Sequence, residues 1–161
     1  MAVMTYLTQC VFDFGAIAQL PKVLRRNGVT RPFIVTDPGL KANGVLDAVL
    51  AALGAPPAGV FTETPPNPTE IAARAALAAY RHAEADGIVA LGGGSSMDLG
   101  KAVGLMATHA PPYDQYGATQ DGHRIIRAIT PLIAIPTTSG TGSEVSVGLL
   151  LVLESGRKET F

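Results

Sequence analysis

The sequence predicts an open α/β fold, a mostly parallel, Rossmann-like sheet with helices on both faces. Three observations carry that prediction. Apolar, β-rich runs alternate with helical patterns, each changeover carries Gly, Pro or Asp, and residues 87–91 are apolar without interruption, as in strands buried on both faces. At 161 residues, with 47% hydrophobic and 16% charged side chains, the chain can bury the core of one domain without help from disulfides or metal.

In chain order, residues 11–14 read as a first strand ended by Gly15, and residues 16–26 as a helix that tolerates Pro21 and stops at Asn27-Gly28. A strand over 32–36 runs into Asp37-Pro38-Gly39, where Pro and Gly predict a turn and leave Asp37 at the strand's carboxyl end. Residues 45–53 predict a helix closed by Gly54, and residues 58–62 a third strand. Three prolines around Asn67 exclude helix over 64–69, after which Thr69 caps an Ala-rich helix reaching about residue 85. Its buried stripe is expected along Ile71, Ala75, Ala79 and Ala83, flanked by Ala72, Ala76 and Tyr80.

The run 87–91 leads into Gly92-Gly93-Gly94-Ser95 and a helix over 96–107. Beyond an irregular loop, 109–124, a strand over 132–135 enters residues 136–143, and residues 145–153 read as a last apolar strand. Residues 147–153 and the strand near Val11 are expected at open sheet edges, which invite pairing, so a dimer or larger association is predicted.

Composition narrows the partners. Twelve basic and thirteen acidic residues give a net charge of -1 with no basic stripe, so no nucleic acid is expected. No run of ~18 apolar residues is present and Met1 to Cys10 lacks a signal layout, so neither membrane nor export is expected. Cys10 is the only cysteine, which excludes an internal disulfide and fits a cytoplasmic location. His82, His109 and His123 lack ligand spacing and are expected to be surface or capping residues.

Two loops carry chemistry. Three glycines between a buried strand and a helix bring main-chain N–H groups and a helix amino terminus close to a ligand, a geometry that binds phosphate. Gly93 and Gly94 would admit a pyrophosphate where a side chain would clash, and the Ser95 hydroxyl could donate to it. The usual dinucleotide fingerprint fails at Met97, and a P-loop fails at Ser95 and Ala102. A tight strand-to-helix turn is the plain alternative. Asp37 could accept from an adenosine ribose at the same sheet edge, or simply form the turn before Pro38. The second loop, residues 137–143, packs hydroxyls and two glycines behind an apolar strand, its alternative being a solvated surface loop.

Gly92-Gly93-Gly94-Ser95-Ser96-Met97-Asp98 with Lys101, followed by Pro136-Thr137-Thr138-Ser139-Gly140-Thr141-Gly142-Ser143-Glu144-Val145, resembles the iron-containing alcohol dehydrogenase family. Val35-Thr36-Asp37-Pro38-Gly39-Leu40 and Pro66-Asn67-Pro68-Thr69 resemble it too. The resemblance implies a dehydroquinate synthase-like fold in which residues 1–161 are the NAD(P)-binding domain. A helical carboxyl-terminal domain, holding iron or zinc through one Asp and three His, would lie outside this chain. Hydride transfer between the nicotinamide cofactor and an alcohol or aldehyde is implied, with no catalytic or metal residue here and no activity from the chain alone.

By position, the resemblance implies Asp37 for the adenosine ribose and Asn67 for the adenine side. It implies Gly93, Gly94, Ser95 and Asp98 for the pyrophosphate, and Thr137, Thr138 and Ser143 for the phosphates or the nicotinamide side. An acidic Asp37 repels a 2'-phosphate, so NAD is expected over NADP. Lys101 is read as the ion-pair partner of Asp98, three residues away on one helix face. Asp114 and Tyr116 are read as structural. Two other readings are a stand-alone, non-catalytic nucleotide-binding module and a dehydroquinate synthase-like lyase, the latter fitting residues 136–145 less well.

Overall fold

The computed structural model describes residues 8–161. A 3-10 turn over Ala16–Gln19 leads into α1 (Leu20–Arg26), whose Pro21 sits in the first turn, where a missing amide breaks no helical bond. Strand β1 (Pro32–Val35) is followed by α2 (Pro38–Ala42), α3 (Val45–Leu53) and β2 (Gly59–Phe61). Then come α4 (Glu70–His82), β3 (Gly87–Gly92), α5 (Gly94–Thr108) and β4 (Leu132–Pro136).

The four strands form one parallel sheet in the order β2-β1-β3-β4. Period-two alternation sorts their side chains: Phe33, Val35, Ile88 and Ala90 pack under α4 and α5, while Ile34, Val89 and Leu91 pack against α1 and α3. All six residues of β3 are buried, as its unbroken apolar run predicts. The chain leaves β1 for β2 on one side, then crosses to β3 on the other. The order therefore reverses between β1 and β3, and the crevice beyond their carboxyl ends is where such sheets take ligands.

Four expectations require correction. Residues 11–14 form no strand; Phe12 and Phe14 are fully exposed, because an apolar run becomes a strand only where a partner edge meets it. Asp37-Pro38-Gly39 is the start of α2 rather than a turn: the Asp37 carboxylate accepts the Leu40 amide at 3.0 Å and Pro38 occupies the first turn. The buried stripe of α4 is Ala73, Ala76, Leu77 and Tyr80, leaving Ile71 67% exposed. A helix made mostly of alanine carries little phase information, so the large Leu77 and the Tyr80 ring, edge-on to Phe33 at 5.7 Å, decide the rotation.

The last apolar run is the fourth. Only β5 (Leu150–Val152) is extended, and it pairs antiparallel with an unexpected β6 (Lys158–Thr160) outside the main sheet. Among the described residues the edge strands of the parallel sheet are consequently β2 and β4. Between α5 and β4, three 3-10 turns carry the buried Tyr113 and Tyr116, and the Tyr116 hydroxyl donates to the Ala110 carbonyl at 2.9 Å, a structural role as expected. No helix among the described residues is long and apolar enough to cross a membrane.

Candidate functional site

The site begins where β3 ends. Gly92 has φ +146°, and a β-carbon there would lie 2.6 Å from the Ser96 hydroxyl oxygen, so only glycine fits. Gly93 is the N-cap residue of the 15-residue α5, and no side chain caps it. The first-turn amides of this helix have no intrahelical acceptors, and the helix dipole puts partial positive charge beside them.

The loop after β4 lies directly opposite. The Thr137 amide donates to the Gly92 carbonyl at 3.0 Å, stitching the two loops together. A β-carbon on Gly93 would stand 3.3 Å from Thr138 Oγ1, and one on Gly94 would stand 3.6 Å from Thr141 Cβ. The two segments thus form a narrow cradle in which a β-carbon at Gly93 or Gly94 would already touch the opposite wall.

All nine residues singled out in the sequence meet at this edge. Asp37, half-buried at the end of β1, has its second oxygen 3.4 Å from the Ser96 hydroxyl. Asn67, in left-handed conformation (φ 53°), donates its amide to the Ser95 hydroxyl at 3.3 Å. Thr137 and Thr138 are exposed along the β4 loop. Asp98 and Ser143, by contrast, face each other: the Ser143 hydroxyl donates to Asp98 Oδ1 at 2.6 Å, and the Leu150 amide donates to Asp98 Oδ2 at 3.1 Å.

Lys101 does more than pair with Asp98, whose nearest oxygen is 3.8 Å away. Its buried ammonium donates to the Ser143 carbonyl at 2.7 Å, the Ser143 hydroxyl at 3.0 Å and the Gly148 carbonyl at 2.8 Å. Burial pushes the Lys101 pKa down, against the attraction of Asp98 and Glu144. One signal for this role was legible: a lysine inside the apolar run Leu99, Ala102, Val103 must find oxygens. Lys158 gave no such signal. It reaches Asn67 Oδ1 at 3.1 Å and, with Asn67, Ser95, Asp98, Leu150 and Val152, lines a cavity of about 140 Å³ that adjoins the cradle.

The donor set does not fit a metal. Among the described residues, no three His, Cys, Asp or Glu side chains converge on a point. His109 is fully engaged: its Nε2 accepts the Arg127 amide at 2.9 Å, which puts the proton on Nδ1, 3.0 Å from the Leu105 carbonyl. His82 and His123 are exposed. Iron chemistry has no ligands among these residues.

Comparison with known proteins decides the family. The profile described as iron-containing alcohol dehydrogenase matches residues 8–161. The chain belongs to the iron-containing alcohol dehydrogenase family. It is 47% identical to a 4-hydroxybutyrate dehydrogenase of Cupriavidus necator, over 100% of this chain and 42% of that enzyme. Its fold matches a solved 1,3-propanediol oxidoreductase with TM-score 0.80 and 32% identity, covering 90% of this chain and 38% of the other. A sulfoacetaldehyde reductase from Bifidobacterium kashiwanohense, solved with NAD+, matches with TM-score 0.78 and 28% identity over 91% of this chain and 39% of its own. The chain spans about two fifths of the length of these relatives.

Proposed function

We propose that residues 1–161 are the dinucleotide-binding domain of an alcohol dehydrogenase and that the cradle seats the diphosphate of NAD. One observation carries the reading: Gly93 and Gly94, at the uncapped amino end of α5, face Thr138 and Thr141 across a gap at the reversal point of the sheet. There the first-turn amides and the Ser95 hydroxyl bind phosphate oxygens, with Asn67 bordering Ser95. The exposed Thr137 and Thr138 hydroxyls serve the second phosphate and the nicotinamide side. Asp98 and Ser143, bonded to each other, shape that wall from behind.

Asp37 supports NAD over NADP, since its carboxylate would accept from ribose hydroxyls and repel a 2'-phosphate. Bound nicotinamide supplies the hydride acceptor, and this chain binds and orients it. A small alcohol or aldehyde is the substrate class, with 4-hydroxybutyrate the first to try. Iron or zinc would have to come from ligands other than these residues, so the chain alone is expected to bind NAD without oxidising alcohols. A cytoplasmic dimer completes the proposal, with β2 and β4, the edge strands among the described residues, as the pairing surface. A strictly monomeric mass in light scattering would overturn that part.

Isothermal titration of the chain and of Gly94→Val with NAD and NADP tests the whole. NAD is expected to bind more tightly than NADP, and the branched side chain to weaken NAD more than tenfold, a loss above about 1.4 kcal/mol. Tighter binding of NADP, or undiminished binding by Gly94→Val, defeats the assignment.

A further inference from the structure

We propose that Asp98 and the buried Lys101 form a clamp that sets the loop after β4 at its distance from the glycine loop, and so act as positioning residues for the dinucleotide. This rests on the dinucleotide reading above. An ammonium carries three protons, and Lys101 has three oxygens within hydrogen-bond reach: two on Ser143 and one on Gly148. At 5% exposure it has no proton left over for a phosphate. Asp98, one turn earlier on the same helix, is likewise committed, one oxygen to Ser143 and the other to Leu150.

The loop between β4 and β5 needs such an anchor. It is pinned at its near end by the Thr137 amide on Gly92 and at its far end by Ser143, Gly148 and Leu150 on the clamp. Residues 138–141 hang exposed between these points, with left-handed glycines at Gly140 and Gly142, and they are the residues that face Gly93 and Gly94. Because α5 carries the phosphate seat at its start and the clamp in its next two turns, one rigid helix fixes the width of the cradle. A buried ion pair is a poor way to gain stability, since desolvation cancels much of the attraction. It is a good way to fix a register, because neither charge can leave without stranding the other.

Lys101→Met removes the donors at nearly constant length. NAD is expected to bind at least tenfold more weakly, while AMP, which uses the Asp37 and glycine-loop side only, stays within twofold. Hydrogen exchange at amides 143–150 is expected to accelerate while β1 and β3 stay protected. Equal losses for AMP and NAD, or an unchanged NAD affinity, overturn the clamp. Should Lys101→Met fail to fold, Lys101→Arg gives the same test, because a planar fork keeps the charge but cannot meet three oxygens gathered about one point. If the unaltered chain binds no NAD, the dinucleotide reading fails by itself, and the exchange pattern still decides whether the clamp holds the loop.

Discussion

Asp37 carries two loads that substitution can separate. One carboxylate oxygen caps α2 through the Leu40 amide, and the negative charge at the sheet edge is the proposed barrier to a 2'-phosphate. Asn caps a helix as well as Asp but carries no charge, whereas Ala does neither. Asp37→Asn is therefore expected to leave the melting temperature nearly unchanged while narrowing the preference for NAD over NADP at least tenfold. Asp37→Ala should narrow it equally and also cost about 1 kcal/mol of stability. Equal NAD/NADP ratios in Asp37→Asn and the unaltered chain would refute the charge argument. The position of Asp37 was legible because a strand and a proline bracket it in sequence. The work of Asp98 was not: its partners Ser143 and Leu150 lie 45 and 52 residues away, and only the folded sheet brings them together.

At the scale of elements, α5 both presents the site and depends on its contact with β3. A β-carbon on Gly100 would lie 2.7 Å from the Ala90 β-carbon, so this glycine lets the helix sit close on the sheet. Gly100→Val forces the two apart, and overpacking in a well-filled core costs about 1–3 kcal/mol. The urea midpoint should fall accordingly, and NAD affinity with it, because the seat and the clamp ride on the same helix. A midpoint at or above that of the unaltered chain would mean α5 has room to shift freely. The strands of the parallel sheet, and its helices other than α2, were readable because each pairs a buried period with its own Gly, Pro or capping signal. The β5–β6 hairpin was half read. Its turn, Glu154-Ser155-Gly156-Arg157, holds a left-handed Gly156, but β6 alternates exposed Lys158 and Thr160 around one buried Glu159 and so shows no apolar face.

Across the whole molecule, the two ends of the sheet are held by opposite kinds of charge. At the amino end, Asp86 accepts from the Thr30 amide and hydroxyl and the Arg31 amide at 2.6–3.1 Å, tying the approach to β1 to the approach to β3. Burial pushes its pKa up, but the Thr30 and Arg31 bonds together outweigh this and hold it below the ordinary 3.8. The folded state thus binds this proton less readily than the unfolded chain, so the stabilisation is complete above pH 3.8 and fades as pH falls towards the folded value. Asp86→Asn is expected to lose about 1–3 kcal/mol at pH 7, because its amide cannot accept all of these bonds. Below pH 3.8 the gap to the unaltered chain should narrow, since there the unfolded chain takes up the proton and the differential stabilisation fades. At the carboxyl end the buried Lys101 ammonium gathers the Ser143 and Gly148 oxygens instead. Urea unfolding of both proteins at pH 7, 5 and 3 measures the gap, and a constant difference at all three values would show that the Asp86 charge contributes nothing.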